Sequence, residues 1–81
     1  MRIDKFLKVS RIIKRRTVAQ EACSGGRITV NGKVAKPGTS VKVGDILEIT
    51  FGEKVIKAEI MKLADHVLKD DAADMYKILE G

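Results

Sequence analysis

Apolar residues at Ile3, Phe6 and Leu7 repeat with the i, i+3, i+4 spacing of one helical face, while Arg2, Lys5 and Lys8 fall off that face. Ser10 is placed to break this first helix, and Ile12-Ile13 form an apolar connection. A second helix is expected from Thr17, whose hydroxyl has a capping-box partner in Gln20 three residues on. Val18, Ala19, Ala22 and Cys23 make its inward face. Gly25-Gly26 ends it, because glycine readily takes the left-handed conformation found just past helix ends.

The period then changes from helical to alternating. Ile28-Thr29-Val30 reads as a strand, Asn31-Gly32 as a tight hairpin turn and Lys33-Val34 as the start of a return strand. Pro37-Gly38 marks a loop. Val43-Gly44-Asp45 turns the chain into a strand at 46–51, with Leu47, Ile49 and Phe51 on one face. Gly52 permits another turn, after which Ile56, Ala58 and Ile60 alternate inward against Lys57 and Glu59. A short helix is expected from Lys69 to Met75 and a last strand from Tyr76 to Leu79. The predicted fold class is therefore α+β: two N-terminal helices packed on a small, bent antiparallel sheet of four or five strands. With 81 residues, a single domain spanning 1–81 is expected, without internal repeat or linker.

Charge changes this picture from a generic small domain to one with a directed surface. Residues 1–44 carry eleven Lys/Arg against two acidic residues, or +9, whereas residues 45–81 carry five Lys against nine acidic residues, or −4. Such asymmetry points to a polyanion partner met by the N-terminal half. The candidate contacts are Arg2, Lys5, Lys8, Arg11, Lys14, Arg15 and Arg16, joined by Arg27 and by Lys33 at the hairpin tip. Arginine suits phosphate because its planar fork can grip two oxygens, and the Arg-rich turn precedes a helix whose N-terminal dipole end also attracts anions. The pattern by itself indicates nucleic acid and does not separate RNA from DNA. The three aromatics, Phe6, Phe51 and Tyr76, are few for single-strand stacking platforms.

Catalysis and metal binding find little support. The single histidine, His66, lies in an acidic stretch without a partner arrangement for a dyad, and Asp65, Asp70, Asp71 and Asp74 read as a solvated acidic face. Cys23 lies on the inner helix face and reads as a small core residue; with one cysteine no intramolecular disulfide forms, which points to a reducing compartment. No apolar run reaches membrane-spanning length and no signal-peptide core is apparent. The expectation is a cytoplasmic, monomeric protein that is not an enzyme and uses no cofactor or metal.

The ordered runs Arg2-Ile3-Asp4-Lys5-Phe6-Leu7, Arg15-Arg16-Thr17-Val18-Ala19, Gly26-Arg27-Ile28-Thr29-Val30-Asn31-Gly32-Lys33 and Val43-Gly44-Asp45 resemble the RNA-binding domain first seen in ribosomal protein S-four, the alpha-L motif. The resemblance covers residues 1 to about 50, leaving 51–81 as added C-terminal strands and a short helix. The ending is similar to that of short bacterial stand-alone members, the Hsp-fifteen relatives and above all their ribosome-associated quality-control branch. Such a resemblance implies binding to a large ribosomal subunit obstructed by peptidyl-tRNA, with contacts to large-subunit rRNA and to the tRNA. It also implies a partner quality-control protein that recruits alanyl-tRNA, so that the stalled chain gains an alanine tail. Carried over by position, Arg2 and Arg16 are the leading contacts, followed by Asp4, Lys5, Lys8, Arg15 and Lys33. Asp4, being acidic, is expected to orient an arginine or accept from a base or ribose hydroxyl.

Three other readings stay open at the level of sequence. An Hsp-fifteen-type rescue factor would hold or move tRNA on free large subunits, although a chain ending at Gly81 without a long basic extension favours the quality-control branch. A detached RNA-guiding domain of a pseudouridine synthase would need a catalytic aspartate in a separate domain. A DNA-binding repressor is suggested only superficially by the two-helix start.

Overall fold

In the computed structural model, which describes residues 1–79, the chain runs α1 (Ile3–Val9), α2 (Arg16–Ser24), β1 (Ile28–Val30), β2 (Lys33–Val34), β3 (Ile46–Phe51), β4 (Lys54–Ile60), a 3₁₀ helix (Lys69–Met75) and β5 (Tyr76–Leu79). The five strands form one antiparallel sheet in the order β2-β1-β3-β4-β5. The α+β class, the two N-terminal helices and the late strand at 76–79 agree with the sequence reading, and the described residues hold five strands. No helix among the described residues is long and apolar enough to cross a membrane.

The core lies between the helix pair and one face of the sheet. Ile3, Phe6 and Leu7 of α1 are fully buried against Ala19 and Cys23 of α2 and Ile28, Leu47, Ile49, Ile60 and Met75 beyond. Burying each large apolar side chain contributes about 1.5–3 kcal/mol. That packing is what makes a helix as short as α1 persist, since a helix of seven residues is marginal alone.

Two helix ends and one hairpin set the path. Past α2, Gly25 is followed by Gly26 at φ +74°, and the Gly26 and Arg27 amides donate to the Cys23 and Ala22 carbonyls, both at 3.0 Å. This double bond pattern is a Schellman termination, which needs a left-handed residue where Gly26 stands. In the hairpin, Asn31 (φ +52°) and Gly32 (φ +85°) form the two-residue turn that pairs Val30 with Lys33. The Asn31 side chain then ties this turn to the start of β3. Its Oδ1 accepts from the Ile46 amide at 2.9 Å, and its Nδ2 donates to the buried Asp45 carboxylate at 3.1 Å. Asp45 also accepts from the Lys42 amide at 2.9 Å. The Asn-Gly and Gly-Asp pairs of the sequence are thus two halves of one joint.

The loop before β3 folds back under the N-terminus. The Ile3 amide donates to Thr39 O at 2.8 Å, Asp4 N–H to Pro37 O at 3.3 Å and Val41 N–H to Met1 O at 2.9 Å, while Arg2 and Ser40 form an isolated bridge. These bonds satisfy amides that the first turn of α1 would otherwise leave open.

Three sequence expectations are corrected. Thr17 does not cap α2: the helix begins at Arg16 with Arg15 as its cap residue, no side chain caps it, and the Gln20 amide is drawn instead to Asp4. Val18 is exposed rather than inward, because the core-facing arc of α2 is narrow and is filled by Ala19, Ala22 and Cys23. Phe51 has the parity of Leu47 and Ile49 but sits at the end of β3, on the rim of a surface groove beside α2, and is exposed.

Candidate nucleic-acid interface

The Asp4 carboxylate has no exposed surface, yet it is surrounded by donors. Oδ1 accepts from the Lys5 amide at 2.8 Å and from Arg2 Nε at 3.2 Å; Oδ2 accepts from Gln20 Nε2 at 3.0 Å and from Arg2 Nη2 at 3.1 Å. Arg16 reaches across from α2, with Nη2 3.4 Å from Oδ1 and Nε 3.4 Å from Oδ2. Burial by itself would push the Asp4 carboxyl up. The hydrogen bonds from Gln20, Arg16, the Lys5 amide and Arg2 outweigh it and hold the group below its ordinary value.

This cluster holds two guanidiniums by one edge each. Their side chains remain about half exposed, 52% for Arg2 and 42% for Arg16, so their remaining N–H groups face solvent. An arginine whose fork is already aimed loses less rotamer freedom when it meets a phosphate. Asp4, fully covered, can orient these arginines but has no surface with which to touch a base or ribose. Gly38 lies beside Arg2, where an added Cβ would stand 4.0 Å from the Arg2 Cζ, so the loop that anchors the N-terminus also backs the Arg2 guanidinium.

The other basic residues divide by position. Lys5 is half-buried and pairs at 2.9 Å with Asp65, which stays exposed as the sequence suggests. The Lys5 hydrogen bond and charge hold the Asp65 carboxyl below its usual value. Lys8, Arg11 and Lys14 line a cleft at the C-terminal end of α1. Arg15 and Arg16 are exposed at the start of α2. Arg27 lies on the other flank of α2, in a groove with Val18, Glu21 and Phe51. Lys33 is exposed at the hairpin, apart from the Asp4 cluster. Cys23 is buried, and burial, then the nearby Asp4 charge, pushes its thiol up, away from the reactive thiolate form.

Sequence reasoning missed the part of Gln20, which it assigned to a helix cap. The available signal was its position four residues after Arg16, which puts both on the α2 flank that faces Asp4.

The fold and its arginine-bearing face define a small RNA-binding α+β domain. The S4 domain model matches residues 1–47, and the chain belongs to this family, in the group of relatives named RQC P-site tRNA stabilizing factor. The relative so named from Halalkalibacterium halodurans is 58% identical over 78 residues, covering 96% of this chain and 89% of its own length. The one from Bacillus subtilis is 51% identical over 80 residues, covering 99% and 93%. Among solved structures, Vibrio cholerae Heat Shock Protein 15, described as trimeric, superposes with a TM-score of 0.89 at 30% identity, covering 98% of this chain and 81% of that one.

Proposed function

We propose that the protein binds large ribosomal subunits that still hold peptidyl-tRNA, touching both large-subunit rRNA and the tRNA, and so supports alanine-tail elongation of the stalled nascent chain. The observation that carries this reading is the buried Asp4 carboxylate holding Arg2 and Arg16 at the surface with donors free. It is supported by relatives above 50% identity whose name specifies stabilisation of a P-site tRNA. Arg2 and Arg16 are the principal contacts, with Lys5, Lys8, Arg11, Lys14, Arg15, Arg27 and Lys33 supplying further phosphate neutralisation and Asp4 acting through the arginines. The protein works by binding, as one domain over residues 1–81, in the cytoplasm, beside a partner protein that recruits alanyl-tRNA.

The test is affinity purification of the tagged protein from bacterial lysate after induced stalling. Large subunits carrying tRNA should be recovered, and R16A should lose them. Mass spectrometry of released nascent chains then decides the finer step: alanine tails should shorten or vanish in cells lacking the protein. The likeness to Heat Shock Protein 15 favours a second reading, in which the protein only retains or moves tRNA on free large subunits. In that case tRNA occupancy changes and the tails do not.

A further inference from the structure

A cleft of about 110 Å³ opens at the C-terminal end of α1, away from Asp4, lined by Lys8, Arg11 and Lys14 on one side and by Asp65 and His66 on the other. Its charge is strongly unbalanced. Among the described residues the only carboxylate lining it, Asp65, is already engaged by Lys5 at 2.9 Å. Lys8, Arg11 and Lys14 make no ion pair among the described residues. Three like charges brought together in a concave site repel one another, and a concave site concentrates their field on whatever enters.

The backbone supplies a second, independent observation. Arg11 follows the α1 cap residue Ser10 at φ +63°, and its amide closes on Lys8 O at 3.1 Å. This is the left-handed position after a helix that Gly26 fills behind α2 at φ +74°. Glycine takes that conformation freely, whereas a residue with a Cβ is strained in it. Here the chain places an arginine in the strained position, and the arginine lines the cleft. Strain of this kind, held where a charged side chain is displayed, makes Arg11 a candidate functional position.

We infer that this cleft is a second phosphate subsite, in which Lys8, Arg11 and Lys14 neutralise one RNA phosphodiester and His66 donates a ring N–H to it. Leu63, Ala64 and Val67 pack against the core and position the segment that carries His66, which the Lys5–Asp65 pair tethers to α1, so the acidic C-terminal half takes part in RNA binding. The inference rests on the RNA-binding reading above and adds a subsite to it. A phosphodiester is the fitting occupant because the donors are three cations and an imidazole, in a space about the size of one tetrahedral anion with its waters.

The experiment measures binding of the full-length, fluorophore-labelled protein to purified bacterial large ribosomal subunits across a salt series, with thermal melts of each variant. R11G should lower affinity about five- to tenfold and make the log–log salt slope shallower by roughly one, while melting no lower than the parent. R11K keeps the charge and should keep the slope. H66A should cost about two- to threefold at an unchanged melting temperature. The inference is overturned if R11G and H66A both bind within twofold of the parent while R16A still weakens binding. It is also overturned if R11K loses slope as R11G does. If the parent protein itself does not bind, the RNA-binding reading and this subsite fail together.

Discussion

Arg16, in the first turn of α2, places its Nε 3.4 Å from Oδ2 of Asp4 on α1, so that one buried carboxylate links the two helices and aims the guanidinium. Because the Arg16 side chain is 42% exposed, the ion pair itself contributes little stability, about 0–1 kcal/mol. R16A should therefore retain the fold by circular dichroism and melt within a few degrees of the parent, yet bind large subunits at least tenfold more weakly. R16K keeps charge but loses the fork that spans carboxylate and phosphate together, and should recover only part of that loss. A large drop in melting temperature for R16A would assign the residue to the fold instead.

Asp4 carries the opposite balance. D4N leaves Gln20, the Lys5 amide and two arginines facing a neutral amide in a covered site, and should cost about 1–3 kcal/mol of stability in denaturant titration. The pH dependence has a definite sign. Since folding lowers the Asp4 pKa, its stabilising contribution is complete above the ordinary value of 3.8 and is lost as the pH falls from there through the folded value. Melting temperatures of the parent should decline over that acid range more steeply than those of D4N. Parallel curves would show that the carboxylate charge does not stabilise the fold.

The joint between Asn31 and Asp45 should behave as a structural device with an indirect effect on RNA. N31A removes a side chain that accepts from the Ile46 amide and donates to Asp45, and it puts alanine at φ +52°. The expected loss is about 2–4 kcal/mol, combining unpaired polar groups with left-handed strain. N31G should recover the strain part only. Hydrogen exchange should show the loss first at the β1–β2 hairpin.

Binding of the parent protein should be steeply salt dependent. If about six phosphates are neutralised, log affinity against log salt should fall with a slope of roughly −4 to −5. A flat response would sink the electrostatic account of the basic face.

The parts of the fold legible in sequence were those governed by local rules. The Ile3, Phe6, Leu7 stripe, the Asn31-Gly32 turn and the Gly25-Gly26 helix end all follow from spacing or from backbone freedom. The misreadings arose where a tertiary contact overrode the local signal. Gln20 has the spacing of a capping-box partner to Thr17, but Asp4 on another helix takes its amide. Val18 and Phe51 have the residue type of core positions, but both stand on the rim of an open groove and stay exposed. Periodicity places Asp4 one residue from Ile3 on α1 without revealing that it is sealed, and the Lys5–Asp65 pair joins residues too distant in sequence for any local pattern to link. The basic residues themselves were legible as a group; their division into an Asp4-centred cluster, a cleft and outlying positions was not.

The bonds from the α1 amides to the loop at 37–41 also impose an order of assembly during synthesis. Ile3 and Asp4 donate to Thr39 and Pro37, and Met1 accepts from Val41, so the first turn of α1 is closed by residues translated after the whole β1–β2 hairpin. A seven-residue helix does not hold its shape unaided. While the growing chain is shorter than this loop, the first turn of α1, which carries Asp4, lacks the partners that close it. A truncated translation product thus carries most of the positive charge without the geometry that directs it, and affinity for structured RNA should arise only once residue 41 has left the exit tunnel.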